Sequence, residues 1–189
     1  MSLVALQGGV TGTGTVTLLA PVTNTNRTIN LPDSNGTIVT SATAGVPING
    51  PAFSAYQNAI TTINNSTSTK IALQLEEFDT ASAFDSTTNY RFTPQVAGYY
   101  QVNGAVNFAP SGVGFRFINI YKNGSNIKSG QNLVGGAINY TQITVAAIVY
   151  LNGSTDYIEL YGNQNSGGAL ATSGTSDVYF QAALIRSAV

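Results

Sequence analysis

All ten Tyr and all eight Phe of this chain lie at or beyond Phe53. Large rings carry most of the burial energy of a small domain rich in β-structure. The chain therefore divides near residue 50 into an aromatic-free arm, 1–50, and a segment, 51–189, able to build its own core. A total of 189 residues suits one β domain of ordinary size with a short extension.

Residues 1–50 alternate weakly. Val16 and Leu18 alternate with Thr15 and Thr17 until Pro21, which cannot donate to a ladder. Ile29 and Leu31 form a second short run, stopped by Pro32. Asp33-Ser34-Asn35-Gly36 signals a turn, and Ile38-Val39 form a third run. Strands this short bury too little surface alone to offset chain entropy, so the arm is expected to pair with copies of itself or with a docking surface. A Thr-rich flexible linker is the other reading of this composition.

Beyond residue 50 the period of two is plain. In Gly98–Phe108 the even positions Tyr100, Val102, Val106 and Phe108 are apolar, and Gln101, Asn103 and Asn107 are polar. Other runs are apolar on both faces. Phe115, Phe117 and Tyr121 stand opposite Ile118 and Ile120; Ile143, Val145, Val149 and Leu151 stand opposite Ala146, Ile148 and Tyr150; Val178, Phe180 and Leu184 stand opposite Tyr179 and Ile185. One sheet face accounts for one set, and a subunit interface or a thicker core must cover the other. Asn123-Gly124, Asn152-Gly153 and Ser166-Gly167-Gly168 read as turns. Residues 57–65 have room for a single helical turn.

Charged residues make up 8% of the chain, with a formal net charge of −1. Such a surface gives no electrostatic reason to expect nucleic acid or an anionic membrane as partner. No stretch approaches the ~18 apolar residues of a membrane span. The first basic residue is Arg27, so the charged start of a signal peptide is missing and cytoplasmic synthesis is expected. Cys, His and Trp are absent. That removes the usual zinc, iron and copper sites and every His-based nucleophilic constellation. Glu76, Glu77 and Asp79, with Asp85 nearby, are the only acidic cluster. A solvated strand edge that blocks aggregation is the first reading, with calcium ligation and then paired-carboxylate glycoside hydrolysis behind it. No catalytic residue, cofactor or metal is assigned, and the chain is expected not to be an enzyme.

The order Pro51-Ala52-Phe53-Ser54-Ala55-Tyr56, Phe84-Asp85, Tyr90-Arg91-Phe92-Thr93-Pro94, Val96-Ala97-Gly98-Tyr99-Tyr100, Tyr121-Lys122-Asn123-Gly124, Asp156-Tyr157-Ile158-Glu159-Leu160 and Tyr179–Ile185 resembles the complement C1q-like and tumour-necrosis-factor-like heads. The resemblance covers about residues 51–189. It implies a ten-stranded, all-β jelly-roll sandwich that forms a homotrimer. On that reading Phe53, Tyr99, Tyr100, Phe117, Tyr121, Tyr150, Tyr179 and Phe180 are trimer-interface or core residues. Two places depart from the family pattern: Gly153-Ser154-Thr155-Asp156 replaces its Gly-Asp, and Ala182-Ala183 stands where it tends to have Gly.

The arm, from Gly14-Thr15-Val16-Thr17-Leu18 through Ile29-Asn30-Leu31-Pro32 to Ile38-Val39-Thr40, is similar to a repeat of phage tail-fibre and virion-surface proteins. That resemblance implies a fibre or head-decoration protein on the virion surface. Val16, Leu18, Ile29, Leu31 and Ile38 would then attach it to capsid or tail proteins, and the head would bind a host glycan or receptor or stabilise the capsid. The alternative is a secreted, non-viral C1q-like adhesin or lectin-like module, for which a signal peptide or a Gly-X-Y stalk would be the mark.

Overall fold

Prolines and turn-forming residues cut the aromatic part of the chain into short extended segments, and the period-two runs between them become strands. The structure, a computed structural model, describes residues 50–134 and 139–188. The attachment residues Val16, Leu18, Ile29, Leu31 and Ile38 lie outside the described residues.

In chain order the strands are β1 (Ala52–Tyr56), β2 (Thr62–Ile63), β3 (Thr69–Lys70), β4 (Leu75–Asp79), β5 (Phe84–Asp85), β6 (Arg91–Phe92), β7 (Ala97–Phe108), β8 (Phe115–Lys122), β9 (Ser125–Leu133), β10 (Thr141–Asn152), β11 (Ile158–Gln164), β12 (Leu170–Ala171) and β13 (Tyr179–Ser187). Eight run five residues or longer; the other five are two-residue pairings, too short to show a period in sequence. No helix occurs among the described residues. The single helical turn expected in 57–65 is replaced by β2. Thr61 and Gln57 are tied instead to Thr172, through Thr172 N–H to the Thr61 carbonyl at 3.0 Å and Thr172 Oγ1 to Gln57 Oε1 at 2.7 Å.

Two antiparallel sheets face each other as a jelly-roll sandwich. The first has the order β10-β7-β13-β1-β4 and the second β5-β6-β11-β8-β9, with β3 also paired to β11. The strands β12 and β2 form a separate pair. β7 and β10 pair along all twelve residues, from Ala97↔Asn152 to Phe108↔Thr141.

Alternation sorts the side chains. The even positions of β7, namely Tyr100, Val102, Val106 and Phe108, are fully buried between the sheets. Phe180 and Leu184 of β13 and Val145, Val149 and Leu151 of β10 join them. Across the core stand Ile118 and Ile120 of β8 and Ile158 and Leu160 of β11, all fully buried. Phe53 of β1 is the hub of a ring cluster, with centroids 4.7 Å from Phe84, 4.5 Å from Phe92 and 5.5 Å from Phe180.

Arg116 breaks the alternation by polarity. It occupies an inward position of β8 in phase with Ile118 and is fully buried. Its guanidinium donates to the carbonyls of Val113, Phe115 and Ser111, each at 3.1 Å. The charge thus serves as an internal cap for the loop that enters β8. Burial lowers its pKa from the ordinary value, yet an arginine keeps its proton.

Backbone conformation explains two turns. Asn123 (φ 51°) and Gly124 (φ 77°) both lie in the left-handed region, the requirement of a type I′ hairpin between β8 and β9. At the Gly153–Asp156 departure, Gly153 has φ 70°, and a Cβ there would sit 2.2 Å from the Ala97 nitrogen. Asn152 Oδ1 accepts from the backbone N–H groups of Ser154, Thr155 and Asp156 at 2.9–3.0 Å, so the longer loop is closed by its own side chain.

Candidate functional site

Both sheets carry an unusual second face. On the five-stranded sheet the outward positions of β10, β7, β13 and β1 are Tyr, Ile, Ala, Thr, Ser, Gln and Asn, and the one charge is Arg186 at a corner. Its apolar corner is built from three neighbouring strands. Tyr99 lies opposite Tyr150 in the ladder with ring centroids 5.4 Å apart, and Ile148 and Ile185 stand beside them. Tyr99 is 44%, Ile148 58%, Tyr150 43% and Ile185 43% exposed. Together with Arg186, Ser187 and Ala188 they line an open groove of about 640 Å³. Ile185 points outward by alternation from the inward Leu184, and the bulge between Leu184 and Arg186 brings Arg186 outward as well, opposite Tyr99. Further along, Phe78 of β4, 49% exposed, lines a smaller depression of about 180 Å³ with Gln101, Asn103 and Gln181.

Lys122 closes the rim of the first groove without entering it. Its Nζ donates to the Tyr150 carbonyl at 2.8 Å, pairs with Asp156 Oδ2 at 2.7 Å and lies 5.6 Å from the Tyr150 ring centroid.

The outward face of the six-stranded sheet is different. Phe117, Asn119 and Tyr121 of β8 stand in a row, flanked by Tyr161 and Asn163 of β11 and by Ser129 and Gln131 of β9. Tyr121 stacks on Tyr161 at 4.1 Å. A groove of about 380 Å³ runs along this row.

The eight sequence-assigned rings therefore separate into three places. Phe53, Tyr100 and Phe180 are core. Tyr99, Tyr150 and Tyr179 point outward from the five-stranded sheet, and Phe117 and Tyr121 from the six-stranded one. Sequence reasoning missed Phe78, because β4 also carries Glu76, Glu77 and Asp79. It also missed Asn119, although its position midway between Phe117 and Tyr121 at steps of two was a usable signal.

The carboxylates act as local caps. Asp79 accepts from the N–H groups of Ala81 at 3.1 Å and Phe84 at 2.7 Å, and Glu77 Oε2 accepts from Ser54 Oγ at 2.8 Å. Among the described residues no three acidic side chains converge on a common point. Asp85 takes the N–H groups of Thr88 and Thr87, and these bonds, with the side chains of Asn89 and Thr87, hold its pKa well below the usual carboxylate range. Burial alone would raise Asp156 and Asp177. Hydrogen bonds from Lys122, Asn123 and the Asn152 N–H outweigh it at the first, and those from Ser173, Thr175 and Asn107 at the second, so both are lowered.

A depressed folded-state pKa contributes stability above the unfolded value of about 3.9 and loses it as pH falls through the folded value. Tyr100 has the opposite sense: its ring is buried, its hydroxyl donates to the Val96 carbonyl at 2.7 Å, and its pKa is pushed up to about 12. The stability it contributes is complete below the unfolded value of about 10 and lost as pH rises through about 12. The melting temperature should therefore be flat between about pH 5 and pH 9, fall below about pH 4, and fall again above about pH 10. Tyr100→Phe should reduce the alkaline limb to the part that Tyr161 supplies, its pKa being raised chiefly by burial, and leave the acid limb unchanged. Thermal melts across pH, followed by circular dichroism, check both limbs.

No family model and no curated protein matches the sequence. Solved structures do match the fold. The Eiger TNF from S. frugiperda superposes with a TM-score of 0.58 at 10% identity, covering 74% of this chain and 95% of that one. Murine APRIL superposes with a TM-score of 0.55 at 11% identity, covering 72% of this chain and 99% of that one. At such identities the likeness speaks of fold, and the described residues form a tumour-necrosis-factor-like, all-β jelly roll.

Proposed function

We propose that the chain is a non-enzymatic binding protein whose jelly-roll head works as a homotrimer, with the outward face of the five-stranded sheet as the subunit interface. The observation that carries this reading is the corner formed by Tyr99, Ile148, Tyr150 and Ile185. Four large apolar side chains, each more than 40% exposed, lie together around a groove whose lining has no acidic group. Single exposed apolar residues are ordinary on a monomer, but a contiguous cluster with Arg186 as the one charge in its groove has the composition of an interface core. Covering this face leaves the six-stranded sheet free for a ligand.

Residues 1–50 are the attachment arm on this reading, and the likeness of residues 14–40 to phage fibre repeats supports a virion-surface setting. The head would then be displayed for host-glycan binding or would stabilise the capsid. Light scattering on the whole chain at micromolar concentration should give three times the chain mass. Residues 51–189 alone should keep that trimer but fail to co-sediment with virus particles. A folded monomer would sink the interface, and normal incorporation without the arm would make the head the anchor.

A further inference from the structure

We propose that the groove on the outward face of the six-stranded sheet binds a neutral oligosaccharide, with Phe117 and Tyr121 as ring platforms and Asn119 and Gln131 as the hydrogen-bonding pair between them. This rests on the reading of the head as a displayed binding module and names its ligand class and site.

The argument begins at Asn119. It is 6% exposed, and its Oδ1 accepts from Ser129 Oγ at 2.7 Å and from Asn126 Nδ2 at 3.3 Å. In this arrangement Oδ1 is the acceptor and Nδ2 is the end left for the groove. Its Nδ2 makes no hydrogen bond among the described residues, and the side chain forms part of the groove wall. The amide donor opens onto the groove, where water or the acceptor of a bound ligand can take its hydrogen bond. Gln131, from the neighbouring strand β9, lines the same groove and makes no side-chain hydrogen bond among the described residues. It supplies both a donor and an acceptor.

The lining contains Asn, Gln and Ser with two aromatic rings, and no Lys, Arg, Asp or Glu. Such a wall matches a ligand that is polar but uncharged. Sugar hydroxyls both give and take hydrogen bonds, which suits amides, and the apolar C–H face of a pyranose packs on an aromatic ring. An anionic glycan or a phosphate would find no cation in the lining, and the neighbouring Lys70, beside Tyr161, is already paired with Glu159 at 2.5 Å. A nucleic-acid strand would find rings but nothing for its backbone.

Spacing sets the ligand's size. Phe117 and Tyr121 share a face four residues apart, about 13 Å along the strand. Asn119 sits midway, opposite Ser129 on β9 and Tyr161 on β11. The site therefore fits a short run of sugar rings better than a single monosaccharide. Its volume, about 380 Å³, falls among ligand clefts. Stacking on Tyr161 orients the Tyr121 ring in advance, which lowers the entropy lost on binding.

The test uses the whole chain, fluorescently labelled, on an array of immobilised oligosaccharides. The probes end in glucose, galactose, mannose or N-acetylglucosamine, and sialylated and sulfated counterparts sit alongside. Binding should occur on neutral members and should survive a rise in salt from about 0.1 M to about 1 M, where charge attraction is screened. Gln131→Ala removes no intramolecular bond, so it should weaken binding about tenfold with an unchanged melting temperature. Tyr121→Ala should weaken it at least as much. Asn119→Ala should abolish binding, with near-ultraviolet circular dichroism confirming that the hairpin of β8 and β9 remains folded. No binding to any glycan, binding to anionic members alone, or a Gln131→Ala protein that binds as wild type would each overturn the proposal. Chain mass measured on the same samples separates the two readings: a trimer that binds no glycan removes this site alone, and a monomer that binds glycan removes the trimer alone.

Discussion

Ile148→Asp is expected to convert a trimer of this chain into a folded monomer. Ile148 is 58% exposed in the single chain, so an aspartate there keeps its water and leaves the fold intact. Within a subunit interface the same carboxylate is buried without a partner. Leaving a buried charge uncompensated costs about 3–5 kcal/mol, and three-fold symmetry repeats the penalty in every copy. The summed penalty is comparable to the whole binding energy of a micromolar complex, about 8 kcal/mol. Arg186 borders the groove and could offset part of it, so Tyr99→Asp and Ile185→Asp serve as companions. Light scattering should report a single chain mass for each variant, while near-ultraviolet circular dichroism stays native. If all three variants keep three times the chain mass, the interface lies elsewhere. The outward face of the six-stranded sheet, with Phe115 and Phe117, would be the next place to look.

The sequence carried the sandwich itself because alternation is a local property. Tyr99 and Tyr100 are adjacent, yet one points outward and the other is fully buried, as a period of two requires. The twelve-residue strands β7 and β10 were readable for the same reason. The two-residue strands β5 and β6 were not, since a pairing such as Phe84↔Phe92 exists only through tertiary contact. Sequence pattern also set Phe117 and Tyr121 against Ile118 and Ile120, and Ile148 and Tyr150 against Val149 and Leu151, but not which set faces the core or on which sheet. Sheet order is set by long-range pairing, as between β13 and β1, whose partners Ala52 and Ala183 lie far apart in the chain. Arg116 was hidden because a charged side chain at an inward position looks like an outward one until its three carbonyl partners are seen. The acidic cluster was ambiguous for a related reason: a carboxylate that caps a turn and one that binds a ligand have the same letters.

Phe53→Ala should be the most damaging single change in the described residues. Phe53 is 1% exposed, and its ring lies stacked between Phe84 and Phe92 and edge-on to Phe180. It projects from β1, which pairs with β13 on one side and β4 on the other, onto β5 and β6 of the opposite sheet. The ring is therefore the contact through which the short pairing of β5 and β6 is held against the longer strands. Truncating a buried Phe removes its transfer energy and leaves a cavity, together about 3–5 kcal/mol. The cavity would open between rings that each pack on Phe53 from a different strand, so closing it requires several strands to shift. For a domain of this size each kcal/mol shifts the melting temperature by about 2–4 °C, so a fall on the order of 10 °C is expected. Phe53→Leu keeps much of the volume and should lose less than half of that. Melts should be compared at one chain concentration, since assembly contributes to apparent stability. Hydrogen exchange gives the local readout: residues 84–92 should lose protection first in Phe53→Ala, while β7 and β10 stay protected. A uniform loss across both sheets would show instead that the ring cluster and the long strands open as one cooperative unit.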